Sequence, residues 1–171
     1  MKDYNAKSID TKHFYLTTSD ENPIGILKYD SWFSFKSEII LEDNTVYHVQ
    51  PKGFWGTTIE LKKDDTVLLN FKMNWNGNIV INTKFEEVER DFILKHKGVL
   101  KSSYVLQDKD GLELLVIQPD FKWNKFRYDY TLSTTEKLEQ FGFKNILLLT
   151  TIHCANYYMA MMSSSGFAAT V

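Results

Sequence analysis

The residues of this chain best suited to chemistry lie in one short stretch, Lys122-Trp123-Asn124-Lys125-Phe126-Arg127, where cations and aromatic rings interleave. Such a mixture can hold a lipid headgroup, a phosphate or a stacked base, because the cations attract the anion and the ring faces supply an amphipathic floor. Strand alternation sets Lys125 and Arg127 on one outward face, so Lys122, Lys125 and Arg127 form the candidate anion or lipid-headgroup site. The same pattern also describes a solvated strand face whose lysines discourage pairing with other chains. Lys62-Lys63 and Lys95-His96-Lys97 repeat it more weakly.

Other reactive side chains are scattered. His13, His48, His96 and His153 show none of the close spacings, with carboxylates at hand, that a metal site uses. No serine sits in a glycine-rich elbow between a strand and a helix, and no glycine loop is arranged to cradle phosphate. Asp43, Asp64, Asp108 and Asp110 fall where turns are expected, and Asp suits turns on conformational grounds alone. Cys154, the only cysteine, lies within an apolar run and reads as a small buried hydrophobe. These residues lead us to expect a non-enzyme that needs no cofactor and no metal. A net charge of −2 with acids and bases interspersed gives no field to gather nucleic acid, so none is expected as a partner.

The elements that would position these groups are mostly strands. With 171 residues, 43% hydrophobic and 15% aromatic, the chain has the size and composition of one folded domain spanning residues 1–171. Val67, Leu69, Phe71, Met73 and Trp75 alternate with mostly polar neighbours, which predicts a half-buried strand with those five on one face. Residues 58–62 and 125–132 read the same way. Asn76-Gly77 supplies a positive-φ pair for a hairpin, and Asp43-Asn44, Asp64-Asp65, Lys97-Gly98 and Asp110-Gly111 punctuate further strand pairs. About ten to twelve short strands at this spacing predict a mainly β fold, a closed antiparallel β-barrel. The polar N-terminus lacks the apolar run of a secretory signal, so the expected location is cytoplasmic, including peripheral attachment to a membrane.

Two further patterns bear on architecture. Ile26-Leu27-Lys28, Lys36-Ser37, Leu41-Glu42-Asp43, Val49-Gln50-Pro51 and Trp55 recur in order as Ile93-Leu94-Lys95, Lys101-Ser102, Leu106-Gln107-Asp108, Ile117-Gln118-Pro119 and Trp123. That order predicts two meander halves related by a pseudo-twofold. After a short helical turn around residues 134–140 comes the uncharged run from Ile146 to Met162, apolar apart from a thin line of Asn145, Asn156 and Ser163 flanked by Thr150 and His153. As a helix of about 145–163 it is either the buried core of the barrel or a C-terminal membrane anchor. At about 25 Å the apolar run is slightly short of a bilayer's ~30 Å hydrocarbon core, and its polar line favours the barrel.

A closed barrel of two meander halves wrapped around a C-terminal apolar helix resembles the tubby C-terminal-like superfamily, which includes tubby domains, LURP-one-related proteins and phospholipid scramblases. The resemblance implies a non-catalytic binding or scaffolding module that associates with membrane lipid or a protein partner, with scramblase-like activity in one branch. This chain departs from two branches. It lacks the strongly basic face that phosphoinositide binding needs, and Glu136 and Glu139, alternating with Lys137, are too few for an acidic calcium-binding segment before the helix. Two other readings stand beside this one: a tail-anchored protein with a cytoplasmic β-domain, and a small barrel that carries a hydrophobic ligand inside.

Overall fold

The computed structural model describes residues 1–31, 35–53, 57–98, 102–122 and 127–167, without the side chains of Arg127 and residues 164–167. Twelve strands follow one another: β1 (Lys2–Ser8), β2 (His13–Thr18), β3 (Pro23–Ser31), β4 (Lys36–Leu41), β5 (Val46–Lys52), β6 (Thr58–Lys63), β7 (Thr66–Met73), β8 (Ile79–Phe85), β9 (Val88–Lys97), β10 (Ser103–Asp108), β11 (Glu113–Lys122) and β12 (Arg127–Thr134). Each pairs antiparallel with its sequence neighbours, and β1 pairs with β12, so the meander closes into a barrel. Closure removes the unpaired edges that would otherwise template aggregation. Register shifts at Leu16/Thr17, Tyr29/Ser31, Leu61/Lys62 and Leu106/Gln107 are bulges of the kind that bend strands around a barrel.

Alternation decides what faces inward. Tyr4 and Ala6, Leu27 and Tyr29, Ile59 and Leu61, Leu69 and Phe71, and Tyr130 and Leu132 are all buried. Trp75 departs from the inward face expected of it: β7 ends at Met73, and Trp75 projects fully exposed from the following turn. There only Gly77 takes a positive φ of 78°, rather than the Asn76-Gly77 pair, and its N–H donates to the Asn74 carbonyl at 2.9 Å. The left-handed position therefore comes last in the turn, as at Asp108–Gly111, where the Gly111 N–H likewise bonds the Asp108 carbonyl at 3.0 Å.

The repeated segments occupy β3–β5 and β9–β11, six strands apart in a ring of twelve, and so face each other across the barrel. That is the placement a pseudo-twofold along the barrel axis requires.

A single helical turn, α1 (Glu136–Glu139), leads into α2 (Lys144–Phe167), which runs a few residues beyond the expected 145–163. The N-cap of α1 is Thr135, since Thr134 still belongs to β12. Every residue of α2 from Ile146 to Tyr157 is buried. Its side chains meet Tyr29 of β3, Ser37 of β4, Phe71 of β7 and Tyr130 of β12, walls that lie in different directions around the ring. A helix that is buried on all sides needs no solvent face, which explains why it is apolar nearly all round. Leu147, Leu148, Leu149 and Ile152 are wholly enclosed, each contributing about 1.5–3 kcal/mol of burial. Its two threonine hydroxyls are satisfied locally: those of Thr150 and Thr151 donate to the Ile146 and Leu148 carbonyls, both at 2.8 Å. At Gly25 the wall has no room for a side chain, since a Cβ there would stand 2.6 Å from the Ile40 carbonyl oxygen and 3.0 Å from Leu149 Cδ1.

The helix enters at one end, which is sealed. Phe85 stacks on Phe143 at 4.6 Å, Phe143 on Phe141 at 5.3 Å, and the Arg90 guanidinium lies over both Phe141 and Phe143. Glu139 accepts from Tyr4 at 2.9 Å and from Lys144 at 2.9 Å, and stands 2.6 Å from the Thr134 hydroxyl. Partial burial alone would raise the Glu139 pKa, but these three donors outweigh it and hold the carboxyl below its ordinary value. This knot ties β1, β12, α1 and the start of α2 together.

Candidate functional site at the barrel mouth

Because the helix enters at one end, the other end is where its C-terminal part emerges, and this mouth is where the candidate cations belong. Lys122 closes β11 and Arg127 opens β12, paired Cα to Cα on the last rung of that ladder. Lys125 lies outside the described residues, as do Trp123, Asn124 and Phe126. The Lys122 ammonium is ion-paired with Asp120, whose hydrogen bond raises its pKa. Asp120 pairs in turn with Asp129, one outward step below the cationic rung. Asp129 Oδ1 accepts from the Ser8 N–H at 2.8 Å and faces the Ser8 hydroxyl at 3.1 Å.

An acidic rung thus sits directly beneath the basic one, and offsets much of its attraction for an anion. Sequence reading missed this because the second carboxylate comes from the neighbouring strand. The weaker basic patterns are paired as well. Lys62 reaches Glu60 at 3.2 Å and Lys97 reaches Glu113 at 2.5 Å.

His96, by contrast, faces inward. Its ring stacks on Tyr158 of α2 with centroids 5.0 Å apart, Tyr104 meets both rings edge-on, and Nε2 lies 2.7 Å from the Ser102 hydroxyl. These aromatics form one wall of a cleft of about 430 Å³ that also reaches Tyr128, Met159 and Ala160. Clefts of a few hundred cubic ångströms with apolar and aromatic walls and a few polar atoms suit small amphipathic ligands. Burial pushes the Tyr104 phenol well above its ordinary pKa, so it stays a neutral hydroxyl. No sequence motif marks the cleft, because its residues come from β9, β10, β11, β12 and α2, brought together only by closure of the barrel.

The remaining reactive groups have structural duties. His153 has Nδ1 3.2 Å from the Ser37 hydroxyl, and burial pushes its pKa down to about 3. Cys154 is buried, which pushes its thiol pKa well up and leaves it un-ionised. Asp10 accepts the backbone N–H groups of Lys12 and His13 and contacts the His13 ring at 2.7 Å, closing the β1–β2 turn. Among the described residues no cluster of three or more His, Cys, Asp or Glu could hold a metal ion, and no helix is long and apolar enough to cross a membrane.

Compared with known proteins, the chain matches no family model, no curated protein and no solved structure.

Proposed function

We propose that this protein is a non-catalytic binding module of the cytoplasm, built on the tubby-like plan its sequence resembles, and that the barrel mouth is its binding face. One observation carries the reading. The axial helix fills the interior of the barrel, so a ligand cannot be held there as in a hollow barrel, while an aromatic cleft of about 430 Å³ remains beside the helix where it emerges. A barrel with a filled interior and one amphipathic opening is suited to recognition.

Saturable binding of 1-anilinonaphthalene-8-sulfonate to the folded full-length chain tests this reading. One equivalent should bind with enhanced fluorescence, and Ala160→Trp, which fills the cleft, should abolish it while leaving the unfolding midpoint near its original value. Binding unchanged in Ala160→Trp would remove the cleft as the site. To separate a blocked cleft from a misfolded one, Ala160→Ser should bind as the parent does.

A further inference from the structure

Two clefts elsewhere on the barrel are lined by charged side chains. One of about 360 Å³, over β7, β8 and β9, includes Lys84, Glu89 and Asp91 in its walls. Another of about 380 Å³, at the sealed end, includes Arg90, Asp108, Lys109, Asp110 and Lys137. The mouth cleft differs from both. In a chain with 20 basic and 22 acidic residues, no Asp, Glu, Lys or Arg stands among the described residues that line it. A charged ligand would give up hydration on entering and find no counter-ion there, so these walls favour an uncharged one.

The walls are also mostly rings and thioethers. Tyr104, Tyr128 and Tyr158 come from β10, β12 and α2, and His96 stacks on Tyr158. Met159 and Met162, three residues apart on α2, add adjustable sulfur side chains. Such surroundings match a flat aromatic ring, whose faces and edges pair with those of tyrosine and with thioether sulfur.

One corner of the cleft is polar, and its hydrogen bonds run in a line. His96 Nε2 lies 2.7 Å from the Ser102 hydroxyl, and the same hydroxyl bonds the Tyr104 phenol. A serine hydroxyl donates only once, so the line has two directions. With the imidazole donating to Ser102, Ser102 donates to Tyr104, and the phenol proton is left to give away. With the imidazole accepting from Ser102, Tyr104 donates to Ser102, and the phenol oxygen is left to accept. That phenol has no other hydrogen-bond partner among the described residues. A hydroxyl on the ligand, which both donates and accepts, completes the line in either direction.

From these features we infer that the mouth cleft takes a small, uncharged, planar aromatic molecule bearing a hydroxyl, its ring against the tyrosines and methionines and its hydroxyl ending the His96–Ser102–Tyr104 line. The inference rests on the cleft being the binding site and names the class of ligand.

Equilibrium dialysis of the full-length chain at pH 7 against 2-naphthol, naphthalene and 2-naphthoate, three compounds of one ring system, tests it. One equivalent of 2-naphthol should bind. Naphthalene, which lacks the hydroxyl, should bind about three- to tenfold more weakly, the worth of one net hydrogen bond. The 2-naphthoate anion should bind more weakly than 2-naphthol by about tenfold or more. Ser102→Ala breaks the line without narrowing the cleft, and should bring 2-naphthol down to the affinity of naphthalene. Naphthalene binding unchanged in that variant shows that the cleft is intact. An advantage of 2-naphthol that survives Ser102→Ala, no advantage over naphthalene in the parent chain, or equal binding of 2-naphthoate would each overturn the inference. If 2-naphthol fails to bind while the anilinonaphthalene probe still binds and is lost in Ala160→Trp, the cleft stands as the binding site and only this ligand class falls. If the probe fails as well, both fall.

Discussion

Tyr130 of the barrel wall donates its hydroxyl to Asn156 Oδ1 of the axial helix at 2.6 Å, deep in the core. The same amide donates through Nδ2 to the Tyr29 hydroxyl at 3.1 Å, so one helix residue is tied to two different strands. Both phenols are buried, and burial pushes both pKa values well up, so they remain neutral hydroxyls. Nonpolar packing alone would leave the helix free to rotate among similar arrangements, whereas these directional bonds select one. Asn156→Leu keeps the branched shape but removes the amide that both hydroxyls bond, and should cost about 2–4 kcal/mol in urea unfolding. The triple variant Asn156→Leu, Tyr29→Phe, Tyr130→Phe should recover most of that loss. Additive losses in the triple would mean that the network has no coupled role.

The helix is also the core itself. A chain ending at residue 143 keeps every strand but loses all the side chains buried from Ile146 to Tyr157. It should lose near-ultraviolet dichroism and cooperative thermal unfolding. Leu148→Ala, which opens a cavity at a fully buried position, should cost about 2–5 kcal/mol while retaining a cooperative transition. A cooperatively unfolding chain of residues 1–143 would show that the wall is stable alone and that the helix only occupies it.

Much of this architecture is legible in the sequence because it rests on period-two alternation and on one long uncharged run. The barrel, the strand number and the helix follow from those signals. What stays hidden depends on partners distant in sequence or on uncommon turn chemistry. Trp75 reads as the last residue of an inward face until the turn is seen to begin at Asn74. The Asp120–Asp129 rung that offsets Lys122 and Arg127 needs the β11–β12 register, and the His96–Tyr158 stack needs the barrel closed around the helix. The β8–β9 turn carries no glycine or asparagine to announce it.

That turn is built from Glu86 and Glu87, both in the left-handed region with φ of 55° and 60°. The pair is the kind of two-residue connection that normally uses Asn-Gly, and a left-handed conformation costs an ordinary residue about 1–2 kcal/mol. Glu86→Asn with Glu87→Gly should therefore raise stability by about 1–2 kcal/mol in denaturant titration. Lower stability in the double variant would mean that the two carboxylates make compensating contacts that the turn conformation hides.

His153 makes stability depend on pH in a definite direction. Burial holds its pKa at about 3 in the folded chain against an ordinary value of 6.5, and Nε2 finds no hydrogen-bond partner among the described residues. Unfolded chains therefore take up a proton below pH 6.5 that the folded chain refuses. The stabilisation is complete above pH 6.5 and is lost as the pH falls toward about 3, at up to about 1.4 kcal/mol per pH unit. Glu139 and Asp108, whose pKa values folding lowers, lose stabilisation in the same direction, but only as the pH approaches their ordinary values of 4.5 and 3.8. The interval from pH 6.5 to pH 5 thus separates the histidine from the carboxylates. Between pH 7 and pH 5 the parent chain should lose about 2 kcal/mol more than His153→Gln does, since His13, His48 and His96 are common to both and cancel. Identical pH profiles for the two proteins would show that the imidazole is protonated inside the barrel, and that the Ser37 hydroxyl beside it stabilises the cation.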